Sequence, residues 1–227
     1  MPLLVVLVAA GCGVPAAPTP TRNTVASSPA TTPPRRPAES APTAATSVLS
    51  ELLQRREKHR RILHDGTQRA VAACMASRGF AYTPIPYPGA LGPHPDLVGL
   101  TRAEADRWTL ALRGQPIPPE VIAGPEPITD PTIAIARGPE GAIYFRRDAC
   151  TTIGRTAVYG DLVEWHTVEL TVDHLAGRAV AEAGGDEQRR IVIELRLAAE
   201  HRVTIDRFAQ LQDAAVDRAR RLLAKRR

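Results

Sequence analysis

The chain has 227 residues, 44% apolar and 23% charged, with 21 prolines, three cysteines and aromatics at only 4%. That composition sets aside collagen, coiled-coil rods, polytopic membrane proteins and cysteine-dense scaffolds. The formal charge of +5 does not point to nucleic acid: Lys58 and Lys225 are the only lysines, and the arginines interleave with acids such as Glu51, Glu57 and Asp65.

Leu3 to Ala10 is an uninterrupted apolar run, LLVVLVAA. A helix needs about 20 such residues to span a bilayer, so the run fits the apolar segment of a secretory signal. Ala9-Ala10-Gly11-Cys12 follows and resembles a bacterial lipobox. Small residues ahead of the cysteine let the chain enter a narrow peptidase site, and the thiol takes up the lipid. Two features depart from that pattern. Ala9 stands where leucine is commoner, and no Lys or Arg precedes the apolar run. An atypical signal, or a start further upstream, accounts for the second. The competing reading is an ordinary cysteine in an apolar strand.

Gly13 to Thr46 is built mainly from Pro, Ala, Thr and Ser. Such a segment buries too little surface to offset chain entropy, so a disordered linker is expected. Its reach would be about 30 Å as a coil and about 100 Å in polyproline-like extension. The expected organisation is a signal peptide over 1–11, lipidated Cys12 and linker over 12–46, and an extracytoplasmic domain over 47–227. The protein would sit on the outer face of the cell membrane, with the membrane as partner through Cys12 and an envelope protein or cell wall as a further partner.

Ser47 opens a helical pattern. Val48, Leu52, Ile62, Val71, Cys74 and Met75 fall near one stripe, and Arg55, Arg56, Glu57, Lys58, Arg60 and Arg61 fall on the charged face. Gly66 is read as a break or kink. Arg78-Gly79-Phe80 writes the stop, with Gly79 in the left-handed position and Phe80 folding back. Residues 83–99 form a proline-rich loop. Thr101-Arg102-Ala103-Glu104 is a capping box that starts a helix over about 102–112, with Trp108 facing the core. A second proline loop runs from Pro116 to Pro131. Thr132–Ala136 and Ala142–Arg146 read as a β-hairpin. The helical pattern returns from Asp161 to Ala183. It turns at Gly184-Gly185-Asp186 and closes with one long helix over about 187–224, with Ile191, Leu195, Ala198, Ile205 and Phe208 on its apolar stripe. The fold class is mainly α: a helical domain with one short hairpin and one disulfide, preceded by a disordered linker.

If Cys12 carries lipid, Cys74 and Cys150 remain and can pair in an oxidising compartment. The alternative is two buried free thiols. Cys74-Met75-x-x-x-Gly79-Phe80-x-Tyr82 resembles a motif of secreted actinobacterial lipoproteins of unknown function. In those chains an acidic helix ending in A-L-x-G follows, here Ala111 to Gly114, then a hairpin, a second cysteine and an aromatic-Gly pair, here Cys150 and Tyr159-Gly160. The resemblance covers about residues 66–165. It implies the lipoprotein assignment and the Cys74–Cys150 pairing, and no catalytic residue.

Catalytic constellations are sparse. The histidines are His59, His64, His94, His166, His174 and His201, with no H-x-x-x-H or H-E-x-x-H among them, so no metal or other cofactor is expected. His166 and His174 lie about 80° apart around a helix and could flank a groove. No nucleophile elbow or phosphate loop is present, and Ser77 has no base at motif spacing. Glu164 with Glu169, and Asp213 with Asp217, read as solvated charge. Trp108 and Trp165 read first as core. A cleft lined by tryptophan, Tyr87 and the proline loop is where a ligand would be sought. The expected function is a non-catalytic interaction or cell-envelope lipoprotein. The alternatives are an envelope hydrolase whose residues converge only in space, and, least favoured, a solute-binding lipoprotein.

Overall fold

The structure is a computed structural model describing residues 47–89, 92–124 and 128–225. The expected signal peptide, lipidated Cys12 and linker fall at residues 1–46, outside the described residues. The elements in chain order are α1 (Val48–Ser77), α2 (Arg102–Arg113), α3 (Pro119–Ala123), β1 (Ile133–Gly138), β2 (Gly141–Arg146), α4 (Cys150–Tyr159), α5 (Leu162–Ala183), α6 (Glu187–Glu200) and α7 (Arg202–Ala224). The domain is therefore mainly helical, with one antiparallel hairpin and one disulfide, Cys74–Cys150.

Helix α1 is the central post. Ser47 caps it by accepting the Ser50 N–H, and the amide of Phe80 returns to the Met75 carbonyl, with Gly79 at φ 80°. That is the glycine-terminated end expected from Arg78-Gly79-Phe80. The helix does not break at Gly66. A Cβ there would lie 2.9 Å from the Ala219 Cβ, so the glycine marks where α1 and α7 approach closely. Val48, expected on the core stripe, is 49% exposed, while Leu52, Val71 and Met75 of that stripe are buried as expected, together with Leu49 beside it.

The main core gathers Leu49, Leu52 and Leu63 of α1 with Trp165, Val172 and Leu175 of α5, Leu197 of α6 and Phe208, Leu211 and Ala215 of α7. A second cluster joins Val71 and Met75 of α1, Trp108, Ala111 and Leu112 of α2, and Cys150. The disulfide lies within this smaller cluster and ties the end of α1 to the start of α4. The closed loop spans a sequence separation of 76. Removing its entropy from the unfolded chain is worth about 4–5 kcal/mol, a large share for a domain so poor in aromatics.

Four further features correct the sequence expectation. Helix α4 had no apolar periodicity to announce it, because its inward positions include Cys150, Gly154 and Val158. The long C-terminal helix is two helices, parted at His201 (φ −113°, ψ 28°). That break resets the phase of the stripe, so Ile193, Glu194 and Leu197 face inward while Leu195 is 49% exposed. The second proline loop contains the short helix α3. The hairpin connection is also tighter than expected: pairing runs from Ile133↔Arg146 to Gly138↔Gly141, leaving only Pro139 and Glu140 between the strands.

Candidate functional site

The cleft that brings the most chemistry together lies between α1, α4, α5 and the hairpin, with a volume of about 560 Å³. Leu63, Ile143, Leu170, Tyr87 and Tyr159 form apolar walls, and Arg56, Arg60, Arg155, Glu169 and Asp173 supply charge. Trp165 and Tyr87 both reach this cleft, as the sequence reading anticipated. Trp165 does so from the core, 2% exposed and packed between Tyr159 and Phe208 with its ring tilted 59° and 54° to theirs. Trp108 lies elsewhere, in the second cluster, with its indole N–H donating to the Ala81 carbonyl at 2.9 Å.

Tyr87 is positioned by the first proline loop. Gln68 on α1 accepts from both the Tyr82 hydroxyl (2.7 Å) and the Ile85 amide (3.0 Å). His64 Nε2 lies 2.7 Å from the Ile85 carbonyl oxygen, and its ring meets Tyr87 edge-on at 5.6 Å. These bonds hold the loop against α1.

On the opposite wall a chain of polar contacts crosses three helices. Arg155 of α4 donates to His166 Nε2 at 2.7 Å, and His166 Nδ1 lies 3.0 Å from Glu169 Oε2. Arg56 of α1 then pairs with Glu169 at 3.4 Å and with Asp173 at 2.9 Å. A guanidinium can only donate and a carboxylate can only accept. The His166 ring therefore carries its hydrogen on Nδ1 and accepts at Nε2, the neutral tautomer. Burial alone would push the Glu169 carboxyl up. The hydrogen bond from His166 and the positive charges of Arg56 and Arg155 outweigh it and hold Glu169 below the usual carboxylate range. Burial pushes the Tyr159 phenol up, with Arg155 and Arg60 opposing.

Glu169 thus corrects its reading as solvated charge. Its partner in that reading, Glu164, is at the surface and pairs with Arg207 at 2.7 Å. Asp213 and Asp217 pair with Arg55 and Arg220 at the surface, as expected. His166 and His174 do not share a groove: His166 is buried in the polar chain, and His174 Nδ1 lies 2.8 Å from Glu140 in the hairpin turn. The Ser77 hydroxyl donates to the Cys74 carbonyl at the helix end, away from any base. Among the described residues, no group of three or more His, Cys, Asp or Glu is placed to hold a metal ion. No helix among them is long and apolar enough to cross a membrane.

No protein-family model, curated protein or solved structure matches the chain. The cleft itself has to carry the reading. Its arginines escaped sequence reasoning because charge on a helix reads as a solvated face. The available signal for Arg155 was the spacing of Cys150, Gly154 and Val158, which draws α4 and places Arg155 beside its inward edge.

Proposed function

We propose that the chain is a membrane-anchored extracytoplasmic lipoprotein whose helical domain acts by binding, in an envelope role, rather than by catalysis. The observation that carries this reading is the Cys74–Cys150 disulfide. Disulfides persist in oxidising compartments outside the cytosol. The bond uses two of the three cysteines, and the third, Cys12, directly follows the apolar run and the small residues Ala9, Ala10 and Gly11. In this reading residues 1–11 are removed, Cys12 carries a diacylglyceryl group, and residues 12–46 space the domain from the bilayer. Two acyl chains on one residue give stable anchoring where a single chain gives marginal binding. The likeness of Cys74-Met75 and Gly79-Phe80 to the motif of secreted actinobacterial lipoproteins supports the same reading.

The binding role draws on the cleft. Arg56 and His166 hold the Glu169 carboxyl below the usual range, which suits a fixed ion pair better than a proton donor. The test of the anchor is membrane fractionation of the full chain in a bacterial host that lipidates such signals. Wild type is expected in the membrane pellet, and Cys12→Ala in the soluble or secreted fraction. Equal retention of both in the pellet overturns the lipoprotein reading.

A further inference from the structure

We propose that the cleft between α1, α4 and α5 is a binding site for a small organic anion, a carboxylate or phosphate monoester on an apolar body, with Arg155 as its charge partner. Three guanidinium groups line the cleft, and two of them are matched. Arg56 is held by Glu169 and Asp173 at 3.4 and 2.9 Å, and Arg60 Nε is held by Glu57 at 2.8 Å. Arg155 is different. Its side chain is half-buried, its partner is the neutral Nε2 of His166, and it stands 6.0 Å from the centroid of the Tyr159 ring. Among the described residues no carboxylate reaches it at ion-pair distance. His166 returns no charge, because the hydrogen it shares with Glu169 leaves its other nitrogen as a lone pair.

Glu169 acts on this half-buried guanidinium only across a gap longer than an ion pair, and buried charges are normally paired directly. Here the guanidinium is fixed in orientation by one donated bond, with the rest of its five-hydrogen fork uncommitted to any carboxylate. That fork matches carboxylate and phosphate oxygens, and its bonds to them are stronger than bonds between neutral groups. The walls beside it, Leu63, Ile143, Leu170 and the rings of Tyr87 and Tyr159, are apolar. The volume of about 560 Å³ lies within the range of small-molecule sites. Glu169 and Asp173 on the α5 side disfavour a second negative group, so the ligand carries its charge at one end. The site does not depend on the membrane anchor, so the two proposals fail separately.

The test is calorimetric titration of the purified full-length chain with four probes: benzoate, phenyl phosphate, inorganic phosphate and benzyl alcohol. Benzoate or phenyl phosphate is expected to bind, and the tighter of the two identifies the anion. Inorganic phosphate and benzyl alcohol, each with half of the required chemistry, are expected to bind at least tenfold more weakly. Arg155→Met is expected to weaken binding by about tenfold or more, and Arg155→Lys, which keeps the charge but loses the fork, by less. Arg196→Met, on the far surface of α6, serves as the control and leaves binding unchanged. The proposal is overturned if neither aromatic anion binds, if benzyl alcohol binds as well as they do, or if a folded Arg155→Lys or Arg155→Met protein binds them as wild type does.

Discussion

Gly154 of α4 lies directly against Val71 of α1. A methyl group at position 154 would sit 2.9 Å from the Val71 backbone nitrogen and 3.1 Å from the Thr67 carbonyl oxygen. Both are backbone atoms of a helix, which cannot swing aside as a side chain can. The two helices approach here because residue 154 has no side chain, and the approach brings Cys150, one turn earlier on α4, within bonding reach of Cys74, one turn later on α1.

Gly154→Ala is therefore expected to destabilise the domain by about 1–3 kcal/mol through overpacking. Gly177 supplies the contrast. It lies in α5 with nothing within 4 Å of its would-be Cβ. There the gain in helix propensity acts alone, so Gly177→Ala should stabilise by about 0.5–1 kcal/mol. Urea unfolding of both variants gives the sign directly, and equal midpoints would show that the α1–α4 approach is looser than this.

The disulfide should matter more than any single core contact. Comparison of oxidised wild type with the Cys74→Ser, Cys150→Ser double variant is expected to show a loss of about 4–5 kcal/mol by the loop-entropy argument. The loss should appear mainly as a lower denaturant midpoint. A double variant within 1 kcal/mol of wild type would mean that the second cluster, with Trp108 and Met75, holds the α1–α4 junction without the bond.

Where the sequence wrote its own punctuation, the fold was legible. Arg78-Gly79-Phe80 ends α1 as read, and Thr101 and Glu104 form both bonds of the capping box. The hairpin, α5 and the Gly184 turn followed from alternation, helical periodicity and glycine. What escaped was written in contacts rather than pattern. The His201 break carries neither proline nor glycine. Gly66 was read as a break, although it is where α7 comes closest, and Gly154, where α4 meets α1, drew no reading at all. The cleft was legible only at Trp165 and Tyr87. Its charged residues come from α1, α4 and α5, and none departs from the composition of an ordinary solvated face. Only packing tells Glu169 from Glu164.

That packing has a pH signature. The Glu169 carboxyl is held below the usual range in the folded protein, because the His166 bond and neighbouring positive charges outweigh its burial. In the unfolded chain it returns to about 4.3. Between those two values the unfolded chain binds more protons, so stability rises with pH across that window. The contribution is complete above the ordinary value and is lost as the pH falls through the folded one. Glu169→Gln removes this dependence. The variant should be less stable than wild type at pH 7, and the two should converge toward pH 3. Parallel unfolding curves at the two pH values would show that Glu169 gains nothing from its partners.

Glu194 tests a different kind of burial. Its side chain is 4% exposed, pairs with Arg190 at 3.1 Å, and accepts from the Ser50 hydroxyl at 2.6 Å and from the Ser47 hydroxyl. Ser47 is the N-cap of α1, so a carboxylate from α6 sits where the helix dipole favours negative charge. Breaking a fully buried ion pair costs about 3–5 kcal/mol when a charge is stranded. Arg190 would not be stranded: its side chain is 32% exposed, and Glu187 also holds it at 2.5 Å. The loss in Glu194→Leu is thus the carboxylate that accepts from two hydroxyls, together with the dipole contact, about 1–3 kcal/mol. Glu194→Gln keeps an acceptor oxygen and should lose less. Because the contact sits at the first turn of α1, amide exchange at Ser50 and Glu51 should quicken before the rest of the helix responds. A Glu194→Leu protein as stable as wild type, with those amides still protected, would show that Ser47 alone caps α1.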